Sequence, residues 1–173
     1  MIMSPASSEF IIERVFNAPR KIMFKAWTDP ERLKQWWGPK GFKWVDGKMD
    51  LRPGGIFHYG MRSPEGSEMW GKFVYSDIVK PERLDFIVSF SDMECNTLRH
   101  PASPSWPLEV LNSLTFSEQD GKTTVVLKGF PINATEEERD TFKAGHHMMQ
   151  QGFKGTLDQL DEYLSNMLKE EVK

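Results

Sequence analysis

A chain of 173 residues, 39% hydrophobic and 27% charged, is long enough to bury one sizeable core, which excludes a disordered segment and a multidomain assembly. Its formal net charge of -3, a sequence pI of about 5.8 and the lack of any Lys/Arg run exclude the concentrated basic face of a nucleic-acid binder. One cysteine, Cys95, excludes an internal disulfide, and no apolar stretch approaches the roughly 18 residues of a membrane span.

Residues 1–7 read as a disordered leader, and MIMSPASSEF lacks the basic and apolar regions of a secretory signal, so the expected location is the cytoplasm. The sequon at Asn133-Ala134-Thr135 is then expected to go unused. Glu9–Phe16 (EFIIERVF) alternates as a strand, with Phe10, Ile12 and Phe16 on one face and Arg14 interrupting it. Pro19 suits the first turn of a short helix carrying Ile22, Met23 and Ala26 on one side. A second short helix follows, capped by Thr28 or Asp29. It places Leu33, Trp36 and Trp37 on one face and is stopped by Gly38-Pro39. Strands are expected over 42–50, 55–62, 68–79, 83–91, 108–117 and 123–130, separated by Pro/Gly turns and by the Asp120-Gly121 hairpin signal. Residues 92–107, with three prolines, read as a longer loop.

The last segment changes period. Thr135-x-x-Glu138 forms a capping box. Phe142, Met149, Phe153, Leu157, Leu160, Leu164 and Met167 then recur as one long amphipathic helix of about thirty residues. Gly145, Gly152 and Gly155 weaken it, each by about 1 kcal/mol, which suggests close backbone approach or room beside the helix. One strand, two short helices, six strands and a long helix make an α+β arrangement, an antiparallel sheet with its helices on one side.

NAPRKIMFKAWTDPERLKQWWGPKGF, DLRPGGIFHYGMRSPEG, VKPERLDF and PINATEEERDTFKAGHHMMQQGFKGTLDQLDEYL resemble bacterial homologues of the C-terminal domain of the Hsp90 ATPase activator Aha. That family lies in the START/Bet v 1-like, or SRPBCC, superfamily. The resemblance covers a single domain over residues 8–168, leaving 169–173 as a tail. It implies a helix-grip fold, with a seven-stranded antiparallel sheet wrapped around the long C-terminal helix and two short helices after strand 1. It also implies a cavity between sheet and helix.

The cavity-lining candidates are Trp37 at the mouth, Phe57, Tyr59 and Met61 alternating on one strand, Phe73, Phe86 and Phe90 on the next strands, and Met149 and Phe153 facing them from the helix. That Trp36 and Trp37 are both simply core is the plainer reading. Gly152 is expected to leave room beside this space. His146, one turn before Met149, is the candidate polar group, and a solvated or core histidine is the plainer reading. His146 and His147 are neighbours about 100° apart around a helix and cannot easily chelate one ion, so no metal is expected. Gly121-Lys122-Thr123 lacks the glycine that a phosphate loop needs at Phe116, and Cys95 with His100 lacks a third catalytic group. No cofactor and no catalytic residue are expected. The expected partner is a hydrophobic small molecule, lipid-like or aromatic. A cyclase or hydrolase using the same cavity and a chaperone-partner domain are the alternatives. Hsp90 stimulation is not favoured, because the activators of that family carry a further N-terminal domain for which 173 residues leave no room. A homodimer stays open.

Overall fold

The computed structural model of the protein describes residues 9–171; the expected leader and the end of the expected tail lie outside them. β1 (Phe10–Phe16) is followed by α1 (Arg20–Thr28) and α2 (Pro30–Leu33). Then come β2 (Lys43–Met49), β3 (Ile56–Arg62), β4 (Glu68–Val79), β5 (Arg83–Ser91), β6 (Thr97–Leu98), β7 (Val110–Gln119) and β8 (Lys122–Pro131). α3 (Glu136–Ala144) and α4 (His146–Glu171) end the chain. The long strands form one antiparallel sheet in the order β1-β8-β7-β5-β4-β3-β2. The short β6, inside the expected loop, pairs with β5 at Phe90 and Ser91, beyond its pairing with β7. This is the α+β helix-grip arrangement, and the seven expected strands are all present.

Local chemistry explains most boundaries. Asp120 and Gly121 both take positive φ (55° and 78°), which matches the right-handed twist of the β7–β8 hairpin. Asp29, not Thr28, caps α2 by accepting the Glu31 N–H at 3.0 Å, while the Thr28 hydroxyl donates back to the Phe24 carbonyl. The capping box at Thr135 and Glu138 is complete, each residue's side chain accepting the other's backbone N–H.

The expected single C-terminal helix is two. Gly145 breaks it, with φ of -86° and ψ of -1°. Its N–H is shared between the carbonyls of Thr141 and Phe142, and helical bonding resumes when the Met149 N–H donates to the Gly145 carbonyl. A β-carbon at Gly145 would lie 2.9 Å from the Trp106 ring, so close approach does account for this glycine. At Gly152 and Gly155 a β-carbon would meet nothing within 4 Å, and both positions are exposed. Gly152 therefore faces outward and does not shape an interior space.

The sheet's concave face holds the core. Phe57, Phe73, Leu84, Leu114 and Phe116 are fully buried there, with Leu157, Leu160 and Leu164 of α4 packed over them. Arg14, which breaks the apolar face of β1, reaches α4 and pairs with Asp158 at 2.6 Å, with Asp161 further off. Its guanidinium also covers the Phe16 ring. From another face of the same stretch of α4, Gln159 donates to the carbonyls of Trp36 (3.1 Å) and Gly38 (2.7 Å), and Arg32 donates to the Tyr163 hydroxyl. The helix is thus held to both the first strand and the tryptophan-bearing segment.

Trp36 and Trp37 separate in role. Trp36 is 1% exposed, donates from Nε1 to the Ala26 carbonyl, and meets Trp27 edge-on at 4.7 Å. Trp37 is only partly buried. Trp36→Ala is expected to lose about 3–5 kcal/mol in urea unfolding, the range for emptying a filled aromatic site. Trp37→Ala should lose clearly less. Equal losses would show that the two rings are packed alike.

Candidate functional site

The sheet presents its concave face in rows of cross-strand neighbours. One row runs Tyr75, Phe86, Asn112, Gly129, Phe10 across β4, β5, β7, β8 and β1. The next runs Phe73, Val88, Val110, Pro131. Over the middle of these rows, α4 and the tryptophan-bearing segment leave a cavity of about 660 Å³. That lies within the size range of small-molecule sites.

Its floor is Phe86, Val88 and Phe90 of β5, Val110 and Asn112 of β7, and Leu127 of β8. Trp27 and Trp37 close one side. Phe142, Gly145, Met148, Met149 and Phe153 supply the helical wall. The outer wall is the segment between β6 and β7, through His100, Ser103 and Trp106. The Pro-rich loop is therefore part of the site.

That segment is tied to α3 at three points. Arg99 pairs with Glu138 at 2.8 Å, the Thr141 hydroxyl donates to Ser105 Oγ at 2.9 Å, and the Trp106 ring tilts against Phe142 at 5.4 Å. The Trp106 ring also fills the place beside Gly145. Glu138 is held below the usual carboxylate range, first by the Thr135 backbone N–H and then by the Arg99 guanidinium.

Of the sequence-derived candidates, Trp37, Phe86, Phe90, Met149 and Phe153 lie in this wall. Phe57, Tyr59, Met61, Phe73 and His146 do not. β3 sits toward the far edge of the sheet, where Trp37 and Trp44 fill the space above it. Trp44 stacks on Phe57 at 5.7 Å, and Trp37 meets Phe73 and Tyr59 edge-on. Met61 is 2% exposed and enclosed in the same packing. Met149 and Phe153 pack toward β1 and not β3, with Phe153 stacked on Phe10 at 5.7 Å. His146 lies between the Phe10 and Phe142 rings, at 5.5 and 5.2 Å, outside the cavity lining. Burial pushes the Tyr59 phenol up to about 12. The Trp37 indole N–H lies toward that hydroxyl and tempers the rise, but falls outside hydrogen-bond geometry.

Apart from Trp37, the cavity's polar groups were not among the cavity candidates drawn from the sequence, where His100 was weighed only beside Cys95. They include Asn112 on the floor, His100 and Ser103 on the loop, Thr141 on α3, and the indole N–H groups of Trp27 and Trp37, which make no hydrogen bond. No Lys, Arg, Asp or Glu is among the described lining residues, and His100 is their one titratable side chain. The His100 Nδ1 accepts the Ala102 N–H at 3.0 Å, so the neutral ring carries its proton on Nε2. Asn112 carried a readable signal, being a polar residue on the inward face of the strand beside the apolar Val110 and Leu114. Trp106 carried a weaker one, a large aromatic in a loop.

Elsewhere, Cys95 takes positive φ (73°) and its carbonyl accepts from Lys72 Nζ, whereas His100 belongs to the cavity wall. His147 is exposed and within 3.2 Å of Gln151. Among the described residues no group of three His, Cys, Asp or Glu could hold a metal ion, and no helix is long and apolar enough to cross a membrane.

The family described as "Activator of Hsp90 ATPase homolog 1-like protein" matches residues 17–165. Solved structures share the fold. Protein Ms6760 from Mycobacterium smegmatis is 25% identical, with 93% of each chain covered and a TM-score of 0.75. A protein from Arthrobacter aurescens is 22% identical, covering 95% of this chain and 90% of that one, with a TM-score of 0.77. The AHSA1 protein from Silicibacter pomeroyi is 20% identical over 92% of this chain and 99% of its own, with a TM-score of 0.69. Comparison with curated proteins gives no match.

The Glu138 contacts predict a defined acid sensitivity of the outer wall. The carboxylate's folded value lies below its ordinary 4.5, so its stabilisation is complete above pH 4.5 and is lost as the pH falls through the folded value. Glu138→Gln should lower the thermal midpoint at pH 7, and the gap from the parent should close in acid. A gap that stays constant with pH would show that the charge contributes nothing.

Proposed function

We propose, for a chain that belongs to the Activator of Hsp90 ATPase homolog 1-like family, that it binds a hydrophobic small molecule between the sheet and the C-terminal helices. The observation that carries this reading is the cavity of about 660 Å³, walled by aromatic, aliphatic and methionine side chains with a few polar groups. Methionines at its helical wall suit a guest of variable shape, because the thioether chain adapts cheaply. The lipid-like or aromatic character of the guest follows from the same lining. A cytoplasmic setting fits a chain with a single cysteine.

Enzymatic use of the cavity is less well supported. Acid–base catalysis needs two converging groups, and His100 stands without a titratable partner among the described lining residues. The family description favours a second reading, a domain that docks on a chaperone. In that case the cavity would be incidental, and filling it would leave partner binding intact.

Nile red, a neutral dye whose emission rises in apolar surroundings, tests the main reading. The parent should bind it saturably at one site. Met149→Trp, which adds volume at the helical wall, should weaken binding about tenfold or more while the protein still unfolds cooperatively. Gly152→Leu, on the exposed side of α4, should leave binding unchanged. Absence of saturable binding in the parent, or full binding in a folded Met149→Trp protein, would remove the reading.

A further inference from the structure

Asn112 is 9% exposed, projects from the interior strand β7 onto the cavity floor, and makes no side-chain hydrogen bond with any described residue. Two other polar side chains buried within β strands find partners: the Thr123 hydroxyl donates to the Ala18 carbonyl at 2.7 Å, and Ser91 donates to the Asp92 carbonyl. Ser89 and the Tyr75 hydroxyl make no hydrogen bond with a described residue either, but neither lines this cavity. A carboxamide enclosed in apolar surroundings without a partner is penalised, and in native proteins such a group calls for a specific explanation.

Its seat is built. Gly129, the cross-strand partner of Asn112 on β8, has no side chain, and Asn112 Oδ1 lies 2.6 Å from the position a β-carbon would take there. The oxygen is thereby packed against the β8 backbone, which leaves the amide nitrogen Nδ2 as the end available to the cavity. At the loop wall, His100 Nδ1 is already engaged by the Ala102 N–H, so this ring too offers an N–H donor. The cavity thus presents donors in an apolar chamber, with no cationic side chain among the described lining residues to balance an anion.

Resting on the reading of this cavity as a small-molecule site, we infer that Asn112, seated on Gly129, is its specificity-determining residue. It selects an uncharged, mainly apolar ligand that carries a carbonyl oxygen and accepts a hydrogen bond from Asn112 Nδ2. A carboxylate is disfavoured because a buried charge with no counterion is strongly penalised. A pure hydrocarbon of the same shape binds more weakly because it leaves the carboxamide unpaired.

Benzophenone and diphenylmethane carry the same two phenyl rings and differ at the carbonyl. Their dissociation constants for the full chain are measured by equilibrium dialysis. The parent should bind the ketone about tenfold or more tightly than the hydrocarbon. Asn112→Leu, which keeps the branched skeleton but is larger and has no polar atom, should bind the two about equally, mainly by weakening the ketone. Gly129→Ala keeps the carboxamide but places a methyl 2.6 Å from Oδ1, too close for the present seat, and should also erase the preference. It decides the matter if Asn112→Leu fails to give the parent's circular dichroism spectrum. Equal binding of both probes to the parent, or a preference that survives in a folded variant, would overturn the role of Asn112 and leave the binding reading standing. If neither probe binds the parent, the binding reading falls, and this inference with it.

Discussion

The sheet is wider than the helix that covers it. Seven strands at about 4.8 Å spacing span roughly 29 Å, whereas a helix with its side chains is about 10–12 Å across. All the strands present apolar side chains to the same concave face, so α4 alone cannot shield that face. The fold answers with additional covers. The tryptophan-bearing segment after α1 closes the β3–β4 side, and the segment between β6 and β7 closes the outer side with Trp106. The cavity is what remains between these covers. Its position follows from how far each one reaches.

This constraint also explains the polar ties. The covers meet α3 and α4 at their edges, where side chains are partly exposed, and polar contacts hold them there: Gln159 to the Trp36 and Gly38 carbonyls, and Arg99 to Glu138, while Arg14 of β1 ties α4 to the sheet through Asp158. Exposed ion pairs contribute little singly, on the order of 0–1 kcal/mol. Their part here is to fix the placement of helices whose apolar faces would tolerate sliding. Glu138 is the most enclosed of these carboxylates and serves both the α3 cap and the outer wall.

Much of the fold was legible in the sequence because strand alternation, turn residues and caps are local signals. The strands, the Asp120-Gly121 hairpin and the Thr135 box needed no knowledge of tertiary contacts. The break at Gly145 was hidden, because a helix-period pattern continues across it and its cause, the Trp106 ring, comes from a distant loop. The site was half legible for the same reason. Period-2 alternation gives the inward face of a strand but not which inward residues meet a helix and which are sealed by aromatic rings. Phe86 and Phe90 therefore line the cavity while Phe57, equally inward, lies beneath Trp44. Asn112 differs again. Its polarity in an apolar stripe was visible, but its meaning depends on Gly129 across the strand pair.

A chamber with aromatic walls and no lining Lys, Arg, Asp or Glu among the described residues favours guests that are themselves apolar and uncharged. The claim on which all of this rests is that the covers stop short of one another and leave the space open. Crystals of the protein pressurised with xenon test it most directly, since xenon enters apolar cavities without needing a specific contact. Xenon density between Val88, Val110 and Phe153 is the expected result. A crystal in which the Trp106 segment has collapsed onto β5 and β7, with no xenon between sheet and helix, would contradict it.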